Sequence, residues 1–90
     1  MKIVRTAVAG SLESGDALIR VEAGNGTLEI EVESIVKARF GRQIERAVRE
    51  TLTELGVSDA FVQVQDKGAV ECALKARAEA AALRAGEAKS

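Results

Sequence analysis

The period of the apolar positions changes several times along the chain, and each change marks an element. Residues 3–9, Ile-Val-Arg-Thr-Ala-Val-Ala, are apolar and partly β-branched, and Gly10 bounds them, so residues 1–9 read as an edge strand or ordered extension. Residues 10–16, Gly-Ser-Leu-Glu-Ser-Gly-Asp, are dense in turn formers: Gly allows positive φ, and Ser and Asp side chains bond nearby backbone amides. This is an exposed loop. From Ala17 the pattern alternates, with Ala17, Ile19 and Val21 on one face and Leu18, Arg20 and Glu22 on the other. Gly24-Asn25-Gly26 then predicts a tight hairpin turn into a returning strand, where Leu28, Ile30 and Val32 alternate with Glu29, Glu31 and Glu33. The glutamate face belongs in water, and the Leu/Ile/Val face needs a covering layer.

Two helical patterns supply that layer. Over residues 34–56, Val36, Phe40, Ile44, Val48, Leu52 and Leu55 recur at helical spacing, with Arg42, Glu45, Arg46, Arg49 and Glu50 on the remaining surface. Gly41 costs about 1 kcal/mol relative to Ala inside a helix, which predicts a short first turn separated from a main segment over 42–55. Gly56 is a suitable stop. Residues 60–65, Ala-Phe-Val-Gln-Val-Gln, alternate as a strand with Ala60, Val62 and Val64 inward, and Asp66-Lys67-Gly68 is a turn. Residues 69–85 are alanine-rich, with Val70, Leu74, Ala78 and Ala81 along one stripe, and residues 86–90 read as a mobile tail. The predicted fold is a single α+β domain over 1–90: a small two-layer sandwich, β-β-β-α-β-α, whose antiparallel, hairpin-containing sheet is covered on one face by two helices. A right-handed crossover through the long helix is required if the last strand pairs in parallel.

Composition narrows what such a domain can do. Thirteen Lys and Arg stand against fourteen Asp and Glu, a net charge of −1, with 47% hydrophobic and 30% charged residues in a chain of 90. That is a globular balance and lacks the high net charge of a disordered chain. A chain of this size buries only about 60–65% of its unfolded surface, which leaves little material for a deep active site. His, Trp, Tyr and Pro are absent, and Phe40 and Phe61 are the only aromatics, so most groups that move protons, bind metals or stack bases are missing. Neutral balance and scarce aromatics disfavour a nucleic-acid partner. Cys72 has no partner for an internal disulfide, and Met1-Lys2-Ile3-Val4-Arg5 lacks a continuous apolar stretch, so the expectation is a cytoplasmic protein without membrane association.

Each candidate for chemistry has a plain alternative. Glu29, Glu31 and Glu33 project to one side about 7 Å apart and could chelate a hard cation. A solvated face with Arg20 across the hairpin explains them, and no ligand loop accompanies them, so no metal is expected. Cys72 has no His to act as its base and reads as a small helix side chain at the packing interface. Arg39, Arg42, Arg46 and Arg49 could meet phosphate or an acidic partner, or form a solvated face offset by Glu45, Glu50 and Glu54. Ser14, in Leu12-Glu13-Ser14-Gly15-Asp16, sits mid-loop beside a permissive Gly, where a modifying enzyme could reach it; taken alone, it reads as an ordinary turn serine, because Ser-Gly is common in loops.

Ala7-Val8-Ala9-Gly10-Ser11-Leu12-Glu13-Ser14-Gly15-Asp16, together with Asp66-Lys67-Gly68-Ala69-Val70-Glu71-Cys72 and Ala76-Arg77, resembles the citrate lyase acyl carrier protein (gamma subunit) family. The likeness extends through the Glu-rich strand and Lys37-Ala38-Arg39-Phe40-Gly41 with Ile44, and the two blocks at this spacing make it specific. The resemblance implies that Ser14 carries 2'-(5''-phosphoribosyl)-3'-dephospho-CoA, a phosphopantetheine-like prosthetic group, through a phosphodiester, making the chain a phosphoprotein. It implies that the terminal thiol holds acetyl as a thioester. An alpha (transferase) subunit exchanges acetyl for citrate, and a beta (citryl lyase) subunit cleaves the citryl thioester to oxaloacetate and regenerates acetyl thioester, as in citrate fermentation. The carrier itself breaks no bond, so the chain is expected not to be an enzyme; a prosthetic-group transferase and an acetylating ligase are its further partners. A residue set poor in nucleophiles fits a role in which the cofactor brings the chemistry.

Glu13, Gly15 and Asp16 are assigned to recognition by the attaching enzyme, with flexible Gly10 and Gly15 helping presentation, because acidic residues beside a phosphodiester otherwise work against it. Glu71 departs from the Asp expected in its block, and the tail after Arg84 is shorter than in relatives, which puts a C-terminal docking role in question. The alternatives are a malonate decarboxylase-type acyl carrier subunit and a non-catalytic interaction module using the arginine-bearing helix.

Overall fold

The computed structural model describes residues 1–87. Its elements are β1 (Lys2–Ile3), β2 (Ala7–Gly10), β3 (Ala17–Glu22), β4 (Leu28–Ser34), α1 (Lys37–Glu54), β5 (Ala60–Asp66), α2 (Glu71–Ala85) and β6 (Gly86–Glu87). Four strands form one sheet in the order β2-β3-β5-β4, with β5 antiparallel to β3 and parallel to β4. The α+β sandwich predicted from the periodicity is therefore present, and β2 and β3 form an antiparallel hairpin around residues 11–16. The connection β4-α1-β5 is the crossover that parallel pairing demands.

The hairpin predicted at Gly24-Asn25-Gly26 does not form, because β5 lies between β3 and β4. The glycines there serve a close approach to the start of β5. A Cβ on Gly24 would sit 2.7 Å from Asp59 Oδ1 and 2.8 Å from the Ala60 nitrogen. The Gly26 amide donates to Asp59 Oδ1 at 2.9 Å, and the Ala60 amide donates to the Thr27 carbonyl at 3.1 Å. β5 earns the central place by its pattern: Ala60, Val62 and Val64 are all buried. As a result Arg20 does not face the glutamates. It lies opposite Gln63, which separates it from Glu31, and it pairs with Glu22 at 3.2 Å. Glu29, Glu31 and Glu33 are exposed on one face, as their alternation predicts.

Ile19 and Val21 of β3 and Val62 and Val64 of β5 bury fully with Val48 and Leu52 of α1, each such side chain contributing about 1.5–3 kcal/mol of transfer free energy. From α2 the core receives Leu74 and the small Ala78, Ala81, Ala82 and Ala85, which permit close approach to the sheet. Helix α1 runs through Gly41 without the predicted break, since its Ile44, Val48 and Leu52 face is anchored in the core. It stops where expected: Gly56, at φ +79°, lets Val57 donate to the Leu52 carbonyl and Gly56 to the Thr53 carbonyl, both at 2.9 Å, a Schellman arrangement.

Two predicted stripe residues lie outside the core. Phe40, near the start of α1, is exposed, and Val70 precedes α2 in extended conformation with its side chain in solvent. Gly86–Glu87, expected to begin a tail, pair instead with Lys2–Ile3; the Val4 and Arg5 amides both donate to the Ala85 carbonyl, which fixes that corner. Residues 88–90, the rest of the predicted tail, lie outside the described residues.

The registers Ala17↔Asp66 and Ser34↔Asp66 align the start of β3 with the ends of β4 and β5. One end of the molecule therefore collects residues 11–16, the segments leading into α1 and α2, and the first turns of both helices.

Candidate functional site

The loop between β2 and β3 is built on two glycines at positive φ. Gly10, at φ +95°, turns the chain so closely that a Cβ would run into the Ala17 carbonyl oxygen, and the Ser11 amide donates to that same oxygen at 3.2 Å. Beyond it, the Asp16 amide donates to the Glu13 carbonyl at 3.0 Å, which makes Glu13 through Asp16 a four-residue turn with Ser14 and Gly15 at its centre. Gly15 has φ +85°, the conformation a type II turn demands at its third position. Ser14 is thus carried at the exposed tip, and a Cβ on Gly15 would meet nothing within 4 Å.

The loop is clamped, which corrects the expectation of a flexible segment around Gly10 and Gly15. The Gly15 amide donates to the Lys67 carbonyl at 2.7 Å, and the Lys67 amide donates to the Asp16 carbonyl at 2.9 Å. These bonds dock the turn on the connection from β5 to α2. That connection is itself held by Asp66, a buried carboxylate that accepts from the Ser34 hydroxyl at 2.7 Å and from the Ala69 amide at 2.9 Å.

Asp16 is the centre of the clamp. Its Oδ1 accepts from the Ala17 amide at 2.7 Å and from Arg77 Nε at 3.0 Å. Its Oδ2 accepts from the Ser11 hydroxyl at 2.7 Å and from Arg77 Nη2 at 3.2 Å. The Arg77 guanidinium foremost, then the Ser11 hydroxyl and the Ala17 amide, hold the Asp16 carboxyl far below the usual carboxylate range. With 18% of its side chain exposed and both oxygens occupied, Asp16 fastens the loop within the chain. Its charge is also compensated, which removes half of the electrostatic objection to an anionic group on Ser14. Glu13 is exposed beside Ser14 and remains available for recognition.

The four arginines of α1 do not act as one patch. Arg39 lies over the Phe40 ring at 5.3 Å, and Arg49 reaches the Leu28 carbonyl at 3.3 Å and Glu45 at 4.0 Å. Arg42 borders the open sheet face with Glu31 and Glu33, whereas Arg46 lines a separate groove between α1 and α2. That groove, about 670 Å³, has Ile44 and Leu74 in its floor and Phe40 and Ala69 in its walls. Cys72 stands exposed on the first turn of α2 and makes no packing interface, because the buried stripe starts only at Leu74.

Ser11 and Lys67 escaped the sequence reading as site residues. Ser11 had a local signal, a serine two residues before Glu13 whose amide it accepts at 3.3 Å. Lys67 acts through its backbone, which leaves no trace in residue identity. Among the described residues no cluster of three His, Cys, Asp or Glu could hold a metal ion, and no helix is long and apolar enough to cross a membrane.

Comparison with known proteins places this geometry among relatives. A family model described as "ACP: Malonate decarboxylase delta subunit (MdcD)" matches residues 4–85. Citrate lyase acyl carrier protein 2 of Salmonella typhimurium is 54% identical over 88 residues, 97% of this chain and 91% of its own. The citrate lyase acyl carrier protein of Klebsiella pneumoniae is 51% identical over the same shares, and that of Haemophilus influenzae 53% over 94% and 88%. A chain of a Pseudomonas malonate decarboxylase hetero-tetramer, solved in complex with malonate, superposes with a TM-score of 0.78 at 20% identity, covering 96% of this chain and 93% of its own, and so shares the fold.

Proposed function

The chain belongs to the acyl carrier protein family described by the malonate decarboxylase delta subunit, with citrate lyase acyl carrier proteins as relatives at 49–54% identity, and from that premise we propose that it is the acyl carrier subunit of a citrate lyase. Ser14 is the point of attachment for 2'-(5''-phosphoribosyl)-3'-dephospho-CoA, through a phosphodiester on its Oγ. The observation that supports this most is an exposed serine at the tip of a turn that is fastened on both sides, at Ser11 and at Lys67.

The residues present fit such a group. Gly15 leaves open space beside Ser14, and the Ser14 hydroxyl makes no hydrogen bond among the described residues. Asp16 is already neutralised by Arg77, so Glu13 is the one uncompensated carboxylate of the turn. When bound, the group supplies a thiol on a long arm, able to hold acetyl or citryl as a thioester. The chain's own contribution is to fix the origin of the arm: a clamped turn directs Ser14 outward while the fold stays still. Tethering replaces diffusion with an effective concentration of about millimolar at each partner site the arm can reach. Partners in this reading are the alpha and beta subunits of the lyase, the prosthetic-group transferase and the acetylating ligase.

The family description and the malonate decarboxylase neighbour support a second reading, a carrier for malonate decarboxylase. Intact mass spectrometry with peptide mapping, on chain coexpressed with the attaching enzymes, tests what both readings share: an adduct on Ser14 that is lost in Ser14→Ala. An unmodified Ser14 in an active complex would sink both. Reconstitution separates them: citrate cleavage with citrate lyase subunits supports the first, and malonate decarboxylation with the other set supports the second.

A further inference from the structure

The groove between α1 and α2 spends on the surface an aromatic that the core could use. Phe40 is one of two aromatic residues in the chain, yet it is 38% exposed, over a floor made by Ile44 and Leu74. The groove's volume of about 670 Å³ lies within the range of about 300–1,000 Å³ typical of small-ligand sites. It also opens beside the attachment loop. The Lys67 carbonyl accepts from the Gly15 amide, and the next residues, Gly68 and Ala69, line the groove. On its α1 wall, Gln43 and Arg46 make no side-chain hydrogen bond or ion pair among the described residues, unlike Arg49 further along the same helix.

We propose that this groove is the resting seat of the arm carried by Ser14. The inference rests on the carrier reading above and adds a binding site to it. The seat matches an amide-bearing, anionic chain in three respects: Phe40, Ile44 and Leu74 receive its apolar segments, the Gln43 amide meets its amide groups, and Arg46 meets its phosphate. Glu71 on the facing wall biases the anionic part toward α1. The fit is weak by design of the tether. An arm held at an effective concentration of about 1 mM occupies a site of about 1 mM affinity roughly half the time, which leaves it free to visit partner enzymes for the other half.

NMR of the chain, unmodified and modified on Ser14 with the adduct verified by mass, tests the seat. Modification is expected to shift the Phe40 ring and the Ile44 and Leu74 methyl groups; in Phe40→Ala carrying an adduct verified by mass, the Ile44 and Leu74 shifts are expected to be lost. Dephospho-coenzyme A added to the unmodified chain is expected to move the same residues, with affinity reduced about tenfold in Arg46→Glu. A chain whose mass shows the adduct but whose shifts stay within residues 11–16 overturns the seat and leaves the carrier reading standing. A chain that active partners leave without the adduct overturns the carrier reading and the seat with it.

Discussion

Asp16 and Arg77, 61 residues apart in the chain, meet in a two-point contact that pins the serine-bearing loop to the middle of α2. Because both carboxylate oxygens are engaged, the contact fixes the orientation of the loop as well as its position. Arg77→Ala is expected to leave Ser14 present but poorly presented. Modification by the attaching enzyme then slows, by up to about 100-fold if the turn shifts by about 1 Å. Arg77→Lys, a point charge without the planar fork, recovers only part of the rate. Mass-resolved kinetics of Ser14 modification measure both, and wild-type rates in Arg77→Ala would dissociate the clamp from presentation.

The same contact dictates an acid response. Asp16 has a folded-state pKa depressed far below the ordinary aspartate value, so its ionised form stabilises the fold at neutral pH. That contribution is complete above the unfolded pKa, about 4, and is lost progressively as pH falls below it toward the folded pKa. Thermal midpoints of the wild type and Asp16→Asn are therefore expected to differ most at pH 6–8, with a gap that begins to narrow below about pH 4 and goes on narrowing through about pH 2. A gap that stays constant down to about pH 2 would contradict the linkage.

In the carrier reading, substitutions at Ser14 and Gly15 separate attachment from folding. Ser14 is exposed, so Ser14→Ala is expected to change stability by less than about 0.5 kcal/mol while abolishing the adduct. Gly15→Ala keeps the hydroxyl next door and meets no atom, but it must hold an L-residue at φ +85°, at a cost of about 1–2 kcal/mol. Chemical denaturation of the two variants checks the contrast.

The elements were legible because their signals are local. Alternation in 17–22, 28–33 and 60–65 and the helical spacing of Ile44, Val48 and Leu52 each act within a few residues. Strand order was not legible: Gly24-Asn25-Gly26 has the composition of a hairpin turn, and only the approach of Gly24 to Asp59 and Ala60 assigns those glycines to a longer passage past β5. At the candidate site, the exposed loop with Ser14 at its tip was visible in the turn composition. The clamp was not, since Arg77, although it belongs to a block that carries the resemblance, shows no link to Asp16 until the fold brings the two together.

The revised strand order has its own test. With β5 paired on both sides, its amides, like those of β3, are expected to exchange with solvent more slowly than those of the edge strands β2 and β4. Gly24→Ala is expected to destabilise the chain by about 1–3 kcal/mol, because the added methyl overlaps the start of β5. A hairpin between β3 and β4 would instead leave β5 at an edge, with fast exchange along one side.

Counting thiols gives a check on the carrier reading that needs no enzyme activity. Cys72 is the chain's one cysteine and is exposed, so the unmodified folded protein is expected to react with one equivalent of a maleimide without denaturant. The arm adds a second thiol, and chain modified on Ser14 and freed of acyl groups takes two. Cys72→Ser, on the outer side of α2, should change stability by less than about 0.5 kcal/mol and lower each count by one. Modified Cys72→Ser protein thus reports the arm alone, and its failure to react in folded, deacylated chain bearing the mass adduct would contradict an arm ending in a free thiol.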